Sequence, residues 1–156
     1  MSKPSILRAC KGVLLLFSKS SDYALRAARH LAMLPPGTRA SLQEISSGQH
    51  IPPALLSKLL QKLVKRGVVR SFRGFQGGYA LARPPEDVSL RSILEEIDGP
   101  LTVFECLDHP DCCTFSEDCG FQSVFWKAQQ VVLEVLQGAT VADCIPVQRR
   151  DASLAP

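Results

Sequence analysis

From Ser18 onward, apolar residues recur at helical spacing. Tyr23, Ala24, Ala27, Ala28 and Leu31 share one face and predict a first helix, which Pro35-Pro36-Gly37 ends. Ser41-Leu42-Gln43-Glu44 has the capping-box pattern and opens a short second helix that stops near Gly48. Pro52-Pro53 start a third helix, since proline is well tolerated in a first turn. Leu55, Leu56, Leu59, Leu60, Leu63 and Val64 form its apolar face, and Gly67 suits its end. Val68 to Phe72 reads as a strand, Arg73 to Gly78 as a flexible turn and Tyr79 to Ala82 as the returning strand. Ser89 caps a fourth helix with Leu90, Ile93, Leu94 and Ile97 inward, and Gly99-Pro100 break it. A loop follows. A long last helix starts near Gly120, with Phe121, Val124, Phe125, Ala128, Val131, Val132, Val135 and Leu136 as a broad apolar stripe. Gln122, Gln129, Gln130 and Glu134 are expected on its other, polar face.

Short helix, tight turn and longer helix make a helix-turn-helix, and a hairpin behind it makes a wing. The expected fold is therefore mainly α with a small β wing. An N-terminal extension (1–17) precedes a winged helix-turn-helix domain (18–100). A cysteine-rich loop (101–119), a dimerisation helix (120–143) and a disordered tail (144–156) follow. The helix is assigned to dimerisation because it carries more apolar surface than so small a core needs.

Composition narrows the class. A chain of 156 residues, 46% hydrophobic and 21% charged, is globular and holds one domain or one small domain with an added dimerisation element. No apolar run approaches the ~18 residues of a membrane span. The run Val13 to Phe17 is too short for a secretory leader. A cytoplasmic location with reduced thiols is expected, and clustered cysteines there bind metal or sense redox state more often than they form structural disulfides.

The net charge of +3 conceals two opposed halves. Between Ile45 and Pro85 there is no acid, while Lys58, Lys62, Lys65, Arg66, Arg70, Arg73 and Arg83 are present. Between Ser92 and Trp126 there is no Lys or Arg, and eight acids. A basic surface on a helix-turn-helix attracts phosphate by counterion release. The third helix is expected to project Ala54, Ser57, Lys58, Gln61 and Lys62 outward. Ser and Gln hydrogen-bond base edges in the major groove, Lys reaches phosphate or guanine, and Arg73 at the wing suits a narrow minor groove. The ordinary alternative is a solvated basic face. Double-stranded DNA is the expected partner, and a homodimer on a palindrome doubles the few base contacts of one small domain.

The segment FECLDHPDCCTFSEDCGF, 104–121, holds Cys106, Cys112, Cys113 and Cys119 among five acids. None of these cysteines is in a CxxC pair. Zinc knuckles favour two to four intervening residues, whereas wider and irregular loops suit an iron–sulfur cluster. Adjacent Cys112 and Cys113 point in different directions, so three cysteines plus a ligand from elsewhere are the expected set. An incomplete thiolate set makes a labile cluster, which is what a sensor needs.

SKSSDYALRAARHLA, the stretch from Ser41 to Leu90 and the spaced cysteines together resemble the Rrf-two family of bacterial winged-helix regulators. Arg73-Gly74-Phe75-Gln76-Gly77-Gly78-Tyr79 is similar to that family's RGxxGGY signature. The likeness runs from about Ser18 to Asp143. It implies a homodimer crossing through the last helix, a palindromic operator and a cluster near the dimer interface. It also implies Cys106, Cys113 and Cys119 as thiolate ligands, with Cys112 the substitute for Cys113. IscR-like members place a His three residues after the last Cys; Gln122 stands there. NsrR-like members use an Asp in the partner's first helix, and Asp22 matches it. A [4Fe–4S] cluster is favoured over [2Fe–2S]. The functional expectation is a DNA-binding repressor sensing nitric oxide, redox or iron–sulfur status, with no small-molecule substrate and no catalysis. The alternatives are a zinc-bound or thiol–disulfide regulator on the same fold, a thiol enzyme using Cys112 or Cys113, and a protein-binding scaffold.

Overall fold

A computed structural model describes residues 17–74, 77–109, 111 and 118–146. The elements are α1 (Lys19–Ala32), α2 (Leu42–Gln49), α3 (Pro53–Lys65), β1 (Val69–Phe72), β2 (Gly78–Leu81), α4 (Leu90–Asp98), α5 (Glu105–Asp108) and α6 (Gln122–Gly138). One-turn 3₁₀ segments cover Pro85–Asp87 and Ala142–Cys144. The expected mainly helical fold with a two-stranded wing is what the chain forms.

The core lies between α1, α2, α3, α4 and β1. Ala24, Ala27, Ala28 and Leu31 of α1 meet Ile45, Leu56, Leu59, Leu60, Leu63, Val69 and Ile93, all buried. Alanine at three of the four α1 positions lets the other helices approach its backbone closely. Ser18 caps α1 through the Ser21 N–H. Asp98, the last residue of α4, accepts from Ser18 N (3.0 Å), Ser18 Oγ (2.5 Å) and Ser21 Oγ (2.7 Å). Burial pushes the Asp98 pKa up, but these hydrogen bonds and the Lys62 charge outweigh it and hold it below the ordinary aspartate value. One carboxylate thus ties the start of α1 to the end of α4.

β1 and β2 pair antiparallel, Val69 with Leu81 through Phe72 with Gly78. Ala40, before α2, adds a bridge to Tyr79, its N–H donating to Tyr79 O at 3.0 Å and its carbonyl accepting from Tyr79 N at 2.8 Å. The wing is therefore anchored to the α1–α2 connection, a contact that strand periodicity does not announce.

Three expectations need correction. The segment after Pro100 is not loop throughout: α5 forms a helical turn containing Cys106. Gln129 is not on a solvent face but 8% exposed, its Oε1 accepting from Val103 N at 3.0 Å. The last helix ends at Gly138, not Asp143, because the chain turns there. Thr140 bridges Ser89, and Val141 packs into the core at 1% exposure. Order continues past Asp143 to Pro146, with Asp143 Oδ2 accepting from Thr140 N and Oγ1. The expected extension up to residue 16 and the tail from 147 lie outside the described residues.

Candidate nucleic-acid interface and cysteine segment

The turn between α2 and α3 is fixed by short-range bonds. The capping box is complete: Ser41 Oγ accepts from Glu44 N, and Glu44 Oε2 accepts from Ser41 N at 2.6 Å. Hydrogen bonds to its carboxylate from the Ser41 backbone N–H, and next from the Ser41 side chain, lower the Glu44 pKa. At the other end, His50 takes the left-handed conformation at φ 53. Buried Ser46 donates its hydroxyl to Ile51 O at 2.7 Å, and its carbonyl accepts from Ile51 N at 3.0 Å. Arg26 of α1 donates to the Gln49 carbonyl, and the Gln49 amide lies 3.2 Å from His30 Nδ1. Burial lowers the His30 pKa against the opposing charge of Glu44. Held from both sides, the turn fixes the direction in which α3 leaves it.

Helix α3 buries Leu56, Leu59, Leu60 and Leu63 and exposes Ala54, Lys58, Gln61 and Lys65 as one stripe on the opposite side. Ser57 is half-buried beside that stripe. Lys62 is exposed as well. Its Nζ donates to Ile97 O at 3.1 Å, at the carboxyl end of α4, where a helix terminus and Asp98 both attract a cation.

At the wing, Arg73 is exposed next to Gly74, whose φ is +97. A Cβ on Gly77 would meet Phe72 O at 2.7 Å, and one on Gly78 would meet Ala40 O at 2.7 Å. Both glycines are required by close backbone approach. The guanidinium of Arg39 stacks on Phe72 with its Cζ 3.7 Å from the ring centroid.

The cysteine segment is moored to α6. Phe104 stacks on Phe125 at 4.2 Å between centroids, and Phe121 lies 6.0 Å from the same ring. The Thr102 hydroxyl donates to Asp108, and Gln129 holds Val103. Cys106 and Cys119 are half-buried, each two residues from one of these phenylalanines. Cys112 and Cys113 lie outside the described residues. Asp22 sits in the first turn of α1 with its side chain 59% exposed, 3.5 Å from Arg26. The described residues place no three metal-binding side chains together.

The iron-dependent transcriptional regulator family Rrf2 matches residues 17–146. The chain belongs to the Rrf2 family. It is a winged-helix, DNA-binding transcriptional regulator. The regulator NsrR of Bacillus subtilis (strain 168) is 29% identical over 126 residues, 80% of this chain and 86% of that one. Among solved structures, T. potens IscR superposes with a TM-score of 0.65 at 29% identity, covering 93% of this chain and 94% of the other. CymR, the global cysteine regulator of B. subtilis, superposes with a TM-score of 0.68 at 25% identity, over 84% and 96%.

Within this Rrf2 chain, sequence reasoning missed Arg39, the Ser18–Asp98 tie and the Gln129 anchor. No helix among the described residues is long and apolar enough to cross a membrane.

Proposed function

We propose that the protein is a homodimeric repressor that reports nitric oxide, redox or iron–sulfur status through a labile iron–sulfur cluster, [4Fe–4S] in preference to [2Fe–2S]. The observation that carries this reading is the shared ring of Phe125. By stacking on it, Phe104 and Phe121 bring the two ends of the cysteine segment to the start of α6. Two half-buried thiols therefore belong to one locality before any ligand arrives. Soft thiolates suit iron–sulfur and zinc centres, so this donor set fits the group. Cys106, Cys113 and Cys119 would hold it, with Cys112 the substitute for Cys113, and Asp22 of the partner subunit would be the fourth ligand. When bound, such a cluster supplies iron reactive toward nitric oxide or oxygen.

The protein's own part is mechanical. α6 exposes Val124, Trp126, Val131 and Val135 at 56–63%, more apolar surface than its own core covers, and a second copy is the proposed occupant. α4 packs on α1, α3 and α6, so a change at the start of α6 reaches α3 through α4. Ser57, Lys58, Gln61 and Arg73 are the proposed DNA contacts on each half of a palindrome. Lys62, whose ammonium keeps two further N–H donors beside the bond to Ile97 O, is a proposed contact as well. A ligand shifts this equilibrium by its differential affinity for the two arrangements. The cytoplasm, where thiols stay reduced, is the proposed location.

A second reading keeps the fold and replaces the cluster with Zn²⁺ or a thiol–disulfide pair, since the same soft thiolates suit zinc. The test is metal and acid-labile sulfide analysis of anaerobically purified protein. Iron with sulfide supports the cluster, and zinc without sulfide replaces it.

A further inference from the structure

Arg39 lies outside the acid-free stretch from Ile45 to Pro85 that defines the basic half of the chain. It is exposed, yet its guanidinium lies over the ring of Phe72, the last residue of β1. The next residue in the chain is Arg73, so the stack brings a second cation to the base of the wing tip. The backbone beside Arg39 is equally fixed: Ala40 is 2% exposed and doubly bonded to Tyr79, and its carbonyl crowds Gly78. On its other side, Ser41 starts α2. Arg39, Ser41, Glu44, Gly37 and Gly77 line one shallow concavity of about 370 Å³ between the wing and the start of α2.

This arrangement has a chemical consequence. A guanidinium seated over an aromatic ring keeps its charge, and its planar fork of five N–H donors matches phosphate oxygens. In helix-turn-helix docking the first helix of the motif crosses the DNA backbone, and Arg39 stands three residues before the first residue of α2. We propose that Arg39 is a phosphate contact of the DNA interface, with Phe72 as its platform, bridging the backbone between wing and helix-turn-helix. The proposal rests on the DNA-binding assignment of the family and on no property of the cysteine segment.

The experiment measures binding of the full chain to a random-sequence 30-base-pair duplex across a salt series. A phosphate contact contributes about −0.9 to the slope of log K against log salt. Arg39→Ala should bind about tenfold more weakly, with a slope shallower by about 0.9 per bound subunit. Arg39→Lys keeps the charge and loses the plane, so its slope should stay near wild type while affinity falls. Arg39→Gln serves as a second neutral variant should Arg39→Ala melt early. A neutral variant with wild-type melting and an unchanged slope overturns the proposal alone. Wild-type protein without salt-dependent duplex binding overturns it together with the DNA-binding assignment.

Discussion

Single residues set tolerances that elements alone do not reveal. Gly77 and Gly78 each face a carbonyl oxygen 2.7 Å from where a Cβ would sit, Phe72 O and Ala40 O respectively. Neither oxygen belongs to a flexible side chain, so something in the backbone must move. Gly78→Ala should cost about 1–3 kcal/mol, read by urea unfolding, with DNA affinity lost alongside because the wing shifts away from α2. The family signature has glycine there for a steric reason that sequence alone does not expose. Asp98 carries a pH dependence. Its folded pKa lies below the ordinary value, so the unfolded chain takes up the proton first as pH falls. Its stabilising effect is complete above the ordinary aspartate pKa, about 3.9, and is lost as pH falls through the lower folded pKa. The stability difference between wild type and Asp98→Asn, from urea midpoints, should therefore be flat from neutral pH to about pH 5 and shrink in acid below it.

Elements were legible wherever a local device ended them. Ser18, Ser41 and Ser89 cap three helices as their positions suggest, and the capping box of α2 is complete. The failures have physical causes. Four residues, Glu105 to Asp108, are too few to show a period, so α5 was invisible. Gln129 looked solvent-facing because α6 has apolar residues around much of its circumference, and which side meets the domain depends on the Val103 N–H that Gln129 accepts. Gln129→Leu should destabilise by about 1–3 kcal/mol, because the Val103 N–H loses its partner; chemical denaturation checks this. Phe125→Ala removes the ring on which both ends of the cysteine segment stack. Cys106 and Cys119 should then react several-fold faster with a thiol reagent in protein stripped of metal, and an unchanged rate would argue against the moored segment. Of the site, the basic stripe of α3 and the thiols' place before α6 were readable from sequence. Arg39 was not, because its environment is made by a strand more than thirty residues away in sequence.

At the scale of the whole molecule, charge is divided along the chain. The basic half forms α3 and the wing, and the acid-rich half runs from α4 to the start of α6. Under the proposed function, the acids of the cysteine segment would keep that region off the duplex by repulsion, and α4 and α6 would form the route between the two. The proposed second copy would cover the exposed apolar face of α6 and would match a two-fold operator. Val131→Glu with Val135→Glu should give monomers by sedimentation while helical content persists, since both residues are exposed in the single chain. The most direct measurement of the account is the absorption spectrum of anaerobically purified protein with iron and sulfide quantified on the same sample, before and after nitric oxide. The account predicts a brown protein containing both elements, with visible absorption that nitric oxide alters and Cys119→Ala bleaches without unfolding the chain. Colourless protein lacking iron and sulfide after anaerobic reconstitution would contradict it.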